Sequence, residues 1–161
     1  MAITIRRADE ADAEALSLLN ADVQNAHAAA MPTVFKKSQQ LNTFPAAVAR
    51  TLLANPTNIV LIADIDSEPV GYAYAEIVHS PESPSRYPSD EVHLYHISVS
   101  PTHRRRGIAS ALLDAVHRAA NELEIKLVTL QVWSFNEDAQ TFFRKRGFKP
   151  YIIRLWSRQK E

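Results

Sequence analysis

Glu91 to Ser110, EVHLYHISVSPTHRRRGIAS, is the stretch on which the reading of this chain turns. Its first half alternates like a β-strand, Pro101 marks a turn, and Arg104, Arg105 and Arg106 lead to Gly107 at the head of an apolar-periodic helix. A helix N-terminus exposes backbone N–H groups that lack intrahelical partners and carries about half a positive charge. Glycine at that entry lets a ligand come close to the backbone, and arginine adds positive charge on a long stem. The combination suits a phosphate or pyrophosphate. An arginine run on its own is also what a solvated face looks like, so the strand–turn–helix context carries the argument. The three glycines, Gly71, Gly107 and Gly147, are too far apart for a Walker A loop or a Rossmann fingerprint.

Working outward, 161 residues make one ordinary domain, expected over 1–161, with enough chain to bury a core. Eighteen basic and eighteen acidic side chains cancel, so no global field draws the chain to nucleic acid or to a membrane surface. There is no cysteine, which excludes thiol nucleophiles, cysteine metal sites and disulfides. No histidine spacing groups metal ligands, so no metal site is expected. The chain starts directly on the strand-like MAITIRRA, and the simplest expectation is a cytoplasmic protein.

Ile3 and Ile5 alternate as a first strand ending near Arg7, and Asp9 or Asp12 is placed to cap a helix carrying Ala15, Leu16, Leu19 and Val23. Met31-Pro32 breaks that pattern, and a second helix runs from Phe44 to Ala54. Residues 59–63 form a buried strand, 64–68 a hairpin turn and 70–78 the returning strand. After the strand 91–100 and the helix from Gly107 to about Leu123, Lys126 to Trp133 alternates as a further strand. Asn136 opens a short helix that Gly147 closes as a C′ glycine, and Tyr151 to Ser157 reads as a last strand. The fold class is therefore α/β (α+β), a mixed sheet of six or seven strands with about four helices.

Arg104-Arg105-Arg106-Gly107-Ile108-Ala109 resembles the phosphate-cradling signature of the GNAT superfamily of N-acetyltransferases. The match extends upstream through Ile97-Ser98-Val99-Ser100-Pro101 and downstream to Asn136, Ala139, Phe142-Phe143 and Gly147-Phe148. Residues 58–150 carry the specific likeness, and the first 57 agree mainly in element order. The resemblance implies acetyl-CoA as cofactor. In that fold the strand ending at Val99 and the strand ending at Trp133 splay apart. Backbone amides of Ile97, Ser98 and Val99 are then free to pair with a pantetheine arm. The pyrophosphate is expected on Arg104, Arg105, Arg106, Gly107, Ile108, Ala109 and Ser110, with Asn136 and Phe143 completing the cofactor set. Asn136 reads equally as an ordinary helix N-cap.

The implied reaction is direct transfer from the thioester to a primary amine, which needs a base, because such an ammonium has a pKa of about 10. With period two, Glu91, His93 and Tyr95 share one strand face and His96 takes the other. His93 stands where some family members carry a glutamate base; Glu76 and Glu91 are the alternatives. The Val99 N–H is the expected oxyanion donor. The tyrosine that protonates the leaving thiolate in many members is here Phe143, so Tyr95, Ser134, Tyr151 or a water must stand in. Bacterial enzymes that acetylate a ribosomal protein N-terminus resemble the region around Asn136, but their glutamate and tyrosine are here Gln131 and Phe143. That specific activity is not carried over.

The acceptor is expected to be a small-molecule or peptide amine, chosen by residues 24–45 and 78–90. The competing reading is a non-catalytic acyl-CoA-binding protein of the same fold. A nucleic-acid module built on the arginines lacks a wider basic stripe. A homodimer joined through Tyr151 to Trp156 is a further expectation.

Overall fold

The computed structural model describes residues 2–38 and 43–159. The chain divides into two compact units, Met1–Gln131 and Val132–Glu161.

The first unit is built on five strands in the order of the sequence: β1 (Ile3–Arg7), β2 (Asn58–Ile65), β3 (Glu68–Ser80), β4 (Ser89–Val99) and β5 (Leu127–Leu130). The first four are antiparallel; β5 runs parallel to β4. A parallel neighbour requires a crossover, and α3 (Ile108–Glu122) supplies it. The β2–β3 hairpin turns on Asp66 and Ser67, both with positive φ (50° and 67°), the conformation a two-residue hairpin loop needs to match strand twist.

Both faces of the sheet are covered. On one lie α1 (Ala13–Ala30) and α2 (Ala46–Ala54), where Leu16, Leu19, Phe44 and Ala49 pack with Val60, Ile62, Tyr72 and Tyr74. On the other lies α3, through its buried stripe Ile108, Leu112, Leu113, Val116 and Ala120. Each fully buried Leu, Ile or Val contributes about 1.5–3 kcal/mol. Gly71 sits under the first turn of α3. A Cβ there would lie 2.8 Å from the Ser98 carbonyl oxygen and 3.3 Å from Ile108 Cγ2.

The N-terminus of α1 is locked electrostatically. A 3₁₀ turn, Glu10–Asp12, leads into α1; Asp9 caps that turn by accepting from the Ala11 N–H, and Asp12 accepts from the Asp9 N–H, but the Asp12 side chain makes no cap bond to α1 itself. Arg6 then grips Asp12 with two bonds of 2.7 and 2.8 Å while its Nε reaches Asp64 at 2.6 Å. Those bonds hold the Asp12 carboxyl below its usual range and push the guanidinium higher still.

The second unit carries α4 (Glu137–Lys145). Gly147, at φ +90°, ends it: the Gly147 N–H bonds Arg144 O at 3.1 Å and the Phe148 N–H bonds Phe143 O at 3.0 Å. With the Phe143–Phe148 ring contact at 5.5 Å this is a Schellman motif, as the sequence position of the glycine requires.

Two expectations are corrected. The sheet has five strands among the described residues rather than six or seven, because Tyr151 to Ser157 forms no strand. Its alternating pattern suits a pleated surface, but a strand also needs a neighbour to bond, and 151–157 pairs with none. Tyr151, Ile152, Ile153, Leu155 and Trp156 are all exposed. The strand expected over 126–133 is shorter as well, four residues at 127–130. No described helix is long and apolar enough to cross a membrane.

Candidate functional site

The geometry of the site begins with an irregularity in β4. Its pairing with β3 runs Ala75↔Leu94 and then Tyr74↔His96, so Tyr95 is an extra residue, a β-bulge. Pairing with β5 ends at the same place, Leu94↔Leu130. The bulge thus coincides with the point at which β4 and β5 part company. From there β4 continues to Val99 against β3 alone, leaving its other edge without a paired strand among the described residues.

Which amides face that edge follows from alternation. The Ser100 N–H bonds Val70 O on β3 at 2.8 Å, so the Ser98 backbone also turns toward β3. Ile97 and Val99 turn away, into the open edge. Ser98 therefore departs from the expected trio of free amides: its backbone faces β3 and its buried hydroxyl donates to Leu19 O at 2.8 Å. The Val99 carbonyl, on the open side, accepts from Arg104 Nε at 3.1 Å.

Beyond the edge the chain makes a short 3₁₀ turn, Pro101–His103, and then adopts left-handed backbone at Arg105 (φ +63°) and Gly107 (φ +82°). No side chain caps α3, and nothing lies within 4 Å of where a Gly107 Cβ would stand. The first amides of α3, those of Ile108, Ala109 and Ser110, have no intrahelical acceptor. Arg104, Arg105 and Arg106 are exposed around this terminus. Ile108 points its own side chain into the core, so it offers a ligand only its backbone.

The bulge has a second consequence. It places His93, Tyr95 and His96 on one sheet face, with Tyr74 and Glu76 opposite them on β3. The expectation that His96 takes the other face assumed a regular strand, and it fails at Tyr95. The Tyr95 ring stacks on Tyr74 at 5.5 Å and meets His93 edge-on at 4.6 Å. Tyr95 is half exposed; burial of its hydroxyl, reinforced by the charges of Glu76 and Glu91, raises its pKa and keeps the phenol protonated. The Tyr74 hydroxyl donates to Glu76.

His93 and His96 differ in what holds them. His93 Nδ1 lies 2.7 Å from Thr129 Oγ1 on β5, and that hydroxyl donates to Glu91 Oε1 at 2.9 Å. Since the hydroxyl has one proton and gives it to Glu91, it accepts from His93 Nδ1–H, leaving the lone pair on Nε2. His96 Nδ1 lies 3.0 Å from the Tyr72 hydroxyl, which accepts from Asn20 Nδ2 at 2.8 Å. Among the described residues His96 Nδ1 is the one acceptor in reach of the Tyr72 proton, so the hydroxyl donates to it and the proton of that ring sits on Nε2. Burial, aided by the neighbouring His27, pushes the His96 pKa down to about 4.

In the second unit Asn136 caps α4, its Oδ1 accepting from the Ala139 N–H at 3.1 Å. Phe143, which the resemblance placed in the cofactor set, is buried against Phe142 and Phe148. Of the acceptor segments, Tyr87 is exposed and His79 pairs with Asp90 at 2.7 Å; residues 39–42 of the stretch 24–45 lie outside the described residues. Thr129 is the site residue that sequence reasoning passed over. Its only signal was a place on an alternating strand, which says nothing of a hydroxyl bridge.

Comparison with known proteins identifies the family and the fold. The family model described as "Acetyltransferase (GNAT) family" matches residues 20–148, spanning most of the chain. No curated protein sequence gives a significant match. Among solved structures, a tetramutant of the BH1408 protein from Bacillus halodurans superposes with a TM-score of 0.92 at 20% identity, over 97% of this chain and 99% of that one. An aminoglycoside acetyltransferase from an uncultured soil metagenomic sample gives 0.73 at 21% identity, over 99% and 100%. Aminoglycoside N-acetyltransferase AAC(6')-Iy, solved with the bisubstrate analogue CoA-S-monomethyl-acetylneamine, gives 0.75 at 22% identity, over 99% of each chain. At such identities the likeness is one of fold. The family match itself is decisive, and the chain belongs to the GNAT acetyltransferase family.

Proposed function

We propose that the whole chain acts as one acetyltransferase domain, moving an acetyl group from acetyl-CoA to a primary amine of a small molecule or peptide by direct attack in a ternary complex. The observation that carries this reading is the continuity of the open β4 edge with the uncapped N-terminus of α3. Outward-facing amides at Ile97 and Val99 suit an extended arm carrying two amides. The left-handed backbone at Arg105 and Gly107, three exposed arginines and the free amides of 108–110 suit a pyrophosphate. The space over Gly107 lets such a group reach the backbone. The residues present fit the cofactor.

When bound, acetyl-CoA supplies the activated acyl group and a thiolate that can leave. The chain supplies the rest. His93 Nε2 takes the ammonium proton and frees the amine lone pair. Glu91 and Glu76 are the weaker candidates for this work, because each carboxylate already accepts a hydroxyl proton, from Thr129 and Tyr74. The Val99 N–H, on the open edge, would offer a donor to the thioester carbonyl oxygen. Tyr95, protonated and beside His93, would give its proton to the leaving thiolate, the role that Phe143 cannot fill, and would regain one from the second proton that the attacked nitrogen sheds. The carboxylates Glu76 and Glu91 flank this cluster and favour a cationic acceptor.

Calorimetry with acetyl-CoA tests the cofactor half, wild type against Gly107→Trp. A thiol-release assay over a panel of amines, aminoglycosides included, tests the chemical half. Binding lost in the variant, with turnover on some amine, is the expected result. Binding with no turnover on any amine points instead to an acyl-CoA-binding protein of this fold. No wild-type binding sinks the proposal.

A further inference from the structure

The base assigned above would need more than a histidine in the right place. A neutral imidazole in water exchanges between two tautomers, and only the one protonated on Nδ1 offers a lone pair at Nε2. Which nitrogen carries the proton is set by the partner of the other one. Glu91, the charged neighbour, does not reach His93 directly: Nδ1 and Oε1 are 3.7 Å apart, beyond hydrogen-bond distance. Thr129 fills that gap from the adjacent strand, 2.7 Å from the ring nitrogen and 2.9 Å from the carboxylate. The three groups are brought together by register, since His93 pairs with Thr129 in the last stretch of β4–β5 ladder before the strands part. His93 and Glu91 are both largely sheltered from solvent, with 16% and 25% of their side chains exposed, so water competes poorly for these bonds.

Resting on the function proposed above, we propose that Thr129 is a positioning residue. Its hydroxyl transmits the orienting pull of Glu91 to His93, fixes the Nδ1–H tautomer and holds Nε2 as the acceptor for the substrate proton. Polarity makes the relay one-way. An ionised carboxylate can only accept, so the hydroxyl proton points to Glu91 and its lone pair is left for Nδ1–H. A methyl in place of the hydroxyl would leave Nδ1–H without this acceptor and free the ring to take the other tautomer.

Thr129→Val keeps the β-branched shape while removing the hydroxyl, and Thr129→Ser keeps the hydroxyl. We expect Thr129→Val to lower kcat about 10- to 100-fold, the scale seen when a metal-bound histidine loses the partner that orients it, with KM for acetyl-CoA unchanged. Thr129→Ser should recover most of the rate. The nitrogen-15 shifts of His93, read above the ordinary imidazole titration range, should show Nδ1–H in wild type and Thr129→Ser and move toward Nε2–H in Thr129→Val. Added to His93→Ala, Thr129→Val should cost no further rate. If Val disturbs packing, Thr129→Ala removes the hydroxyl without bulk and should behave alike. The inference is overturned if Thr129→Val keeps the wild-type tautomer and kcat while His93→Ala is inactive, or if Thr129→Ser fails to recover the rate. His93→Ala with full activity overturns the base itself, a distinguishable failure, and takes the positioning role with it.

Discussion

His93 and His96 stand three residues apart on one strand and one sheet face, yet the fold prepares them for opposite work. His93 sits at the seam between β4 and β5, its Nδ1–H tied to Thr129 and through it to Glu91, its Nε2 lone pair unclaimed by that relay. His96 sits among Phe44, Tyr72 and Tyr74, with ring centroids 5.5–6.0 Å apart, and receives a proton from Tyr72. In the proposed reaction one ring accepts a substrate proton; the other, packed among aromatic rings, is neutral with its proton on Nε2. The difference teaches that residue type and strand position do not assign a role. The network on Nδ1 does.

The comparison breaks first at His93. His93→Ala should lower kcat by about 10²–10⁴, the range for losing a general base, while calorimetric affinity for acetyl-CoA stays within a few-fold. A variant that turns over at the wild-type rate would move the base to Glu76 or Glu91. His96→Ala should act on stability instead. It empties space against three aromatic rings and strands the Tyr72 proton, together costing about 2–4 kcal/mol in denaturant unfolding. A catalytic loss as large as that of His93→Ala, in a protein that remains folded, would erase the distinction.

Much of the frame from which these roles hang was legible in the sequence. Gly107 and Gly147 announced helix boundaries because each occupies a positive-φ position that local backbone physics reserves largely for glycine. The helical stripes of α1 and α3 and the hairpin at Asp66–Ser67 are likewise written in local spacing. The bulge at Tyr95 was not. It is a mismatch of register between two strands, visible only once β3 is laid beside β4, and it alone moved His96 onto the face of His93. Thr129 was hidden for the same reason, since a hydroxyl bridge depends on which residue of β5 meets which residue of β4. At Tyr151–Ser157 the error ran the other way: the period of a strand was plain, but no neighbour takes it up.

Acid probes His96 through linkage. His96 has a folded pKa of about 4 against an unperturbed 6.5. Between those values the unfolded chain binds a proton that the native ring refuses, so νU exceeds νN and stability rises with pH. The contribution is complete above about pH 6.5 and falls away as pH drops toward 4, by up to about 3 kcal/mol. Acidic groups elsewhere add their own slope, so the measurement is the difference between wild type and His96→Phe, which fills the ring volume but cannot titrate. Parallel stability–pH curves for the two proteins would mean that His96 takes up a proton in place.

The smallest effect is the most pointed. Tyr72→Phe removes the hydroxyl that accepts from Asn20 and donates to His96, the counterpart in the core of Thr129 at the site. Two partners lose a bond of ordinary strength in a buried setting, and unfolding should become easier by about 1–2 kcal/mol. The rate should hardly change, because no proton of the proposed reaction passes through His96. Thr129→Val should show the reverse pattern, a slower kcat with little loss of stability. Placed side by side, the two substitutions delete one hydroxyl each from one histidine each, on the same face of the same strand. If Tyr72→Phe slows turnover as much as Thr129→Val does, both rings belong to one coupled network and the division of labour between them is wrong.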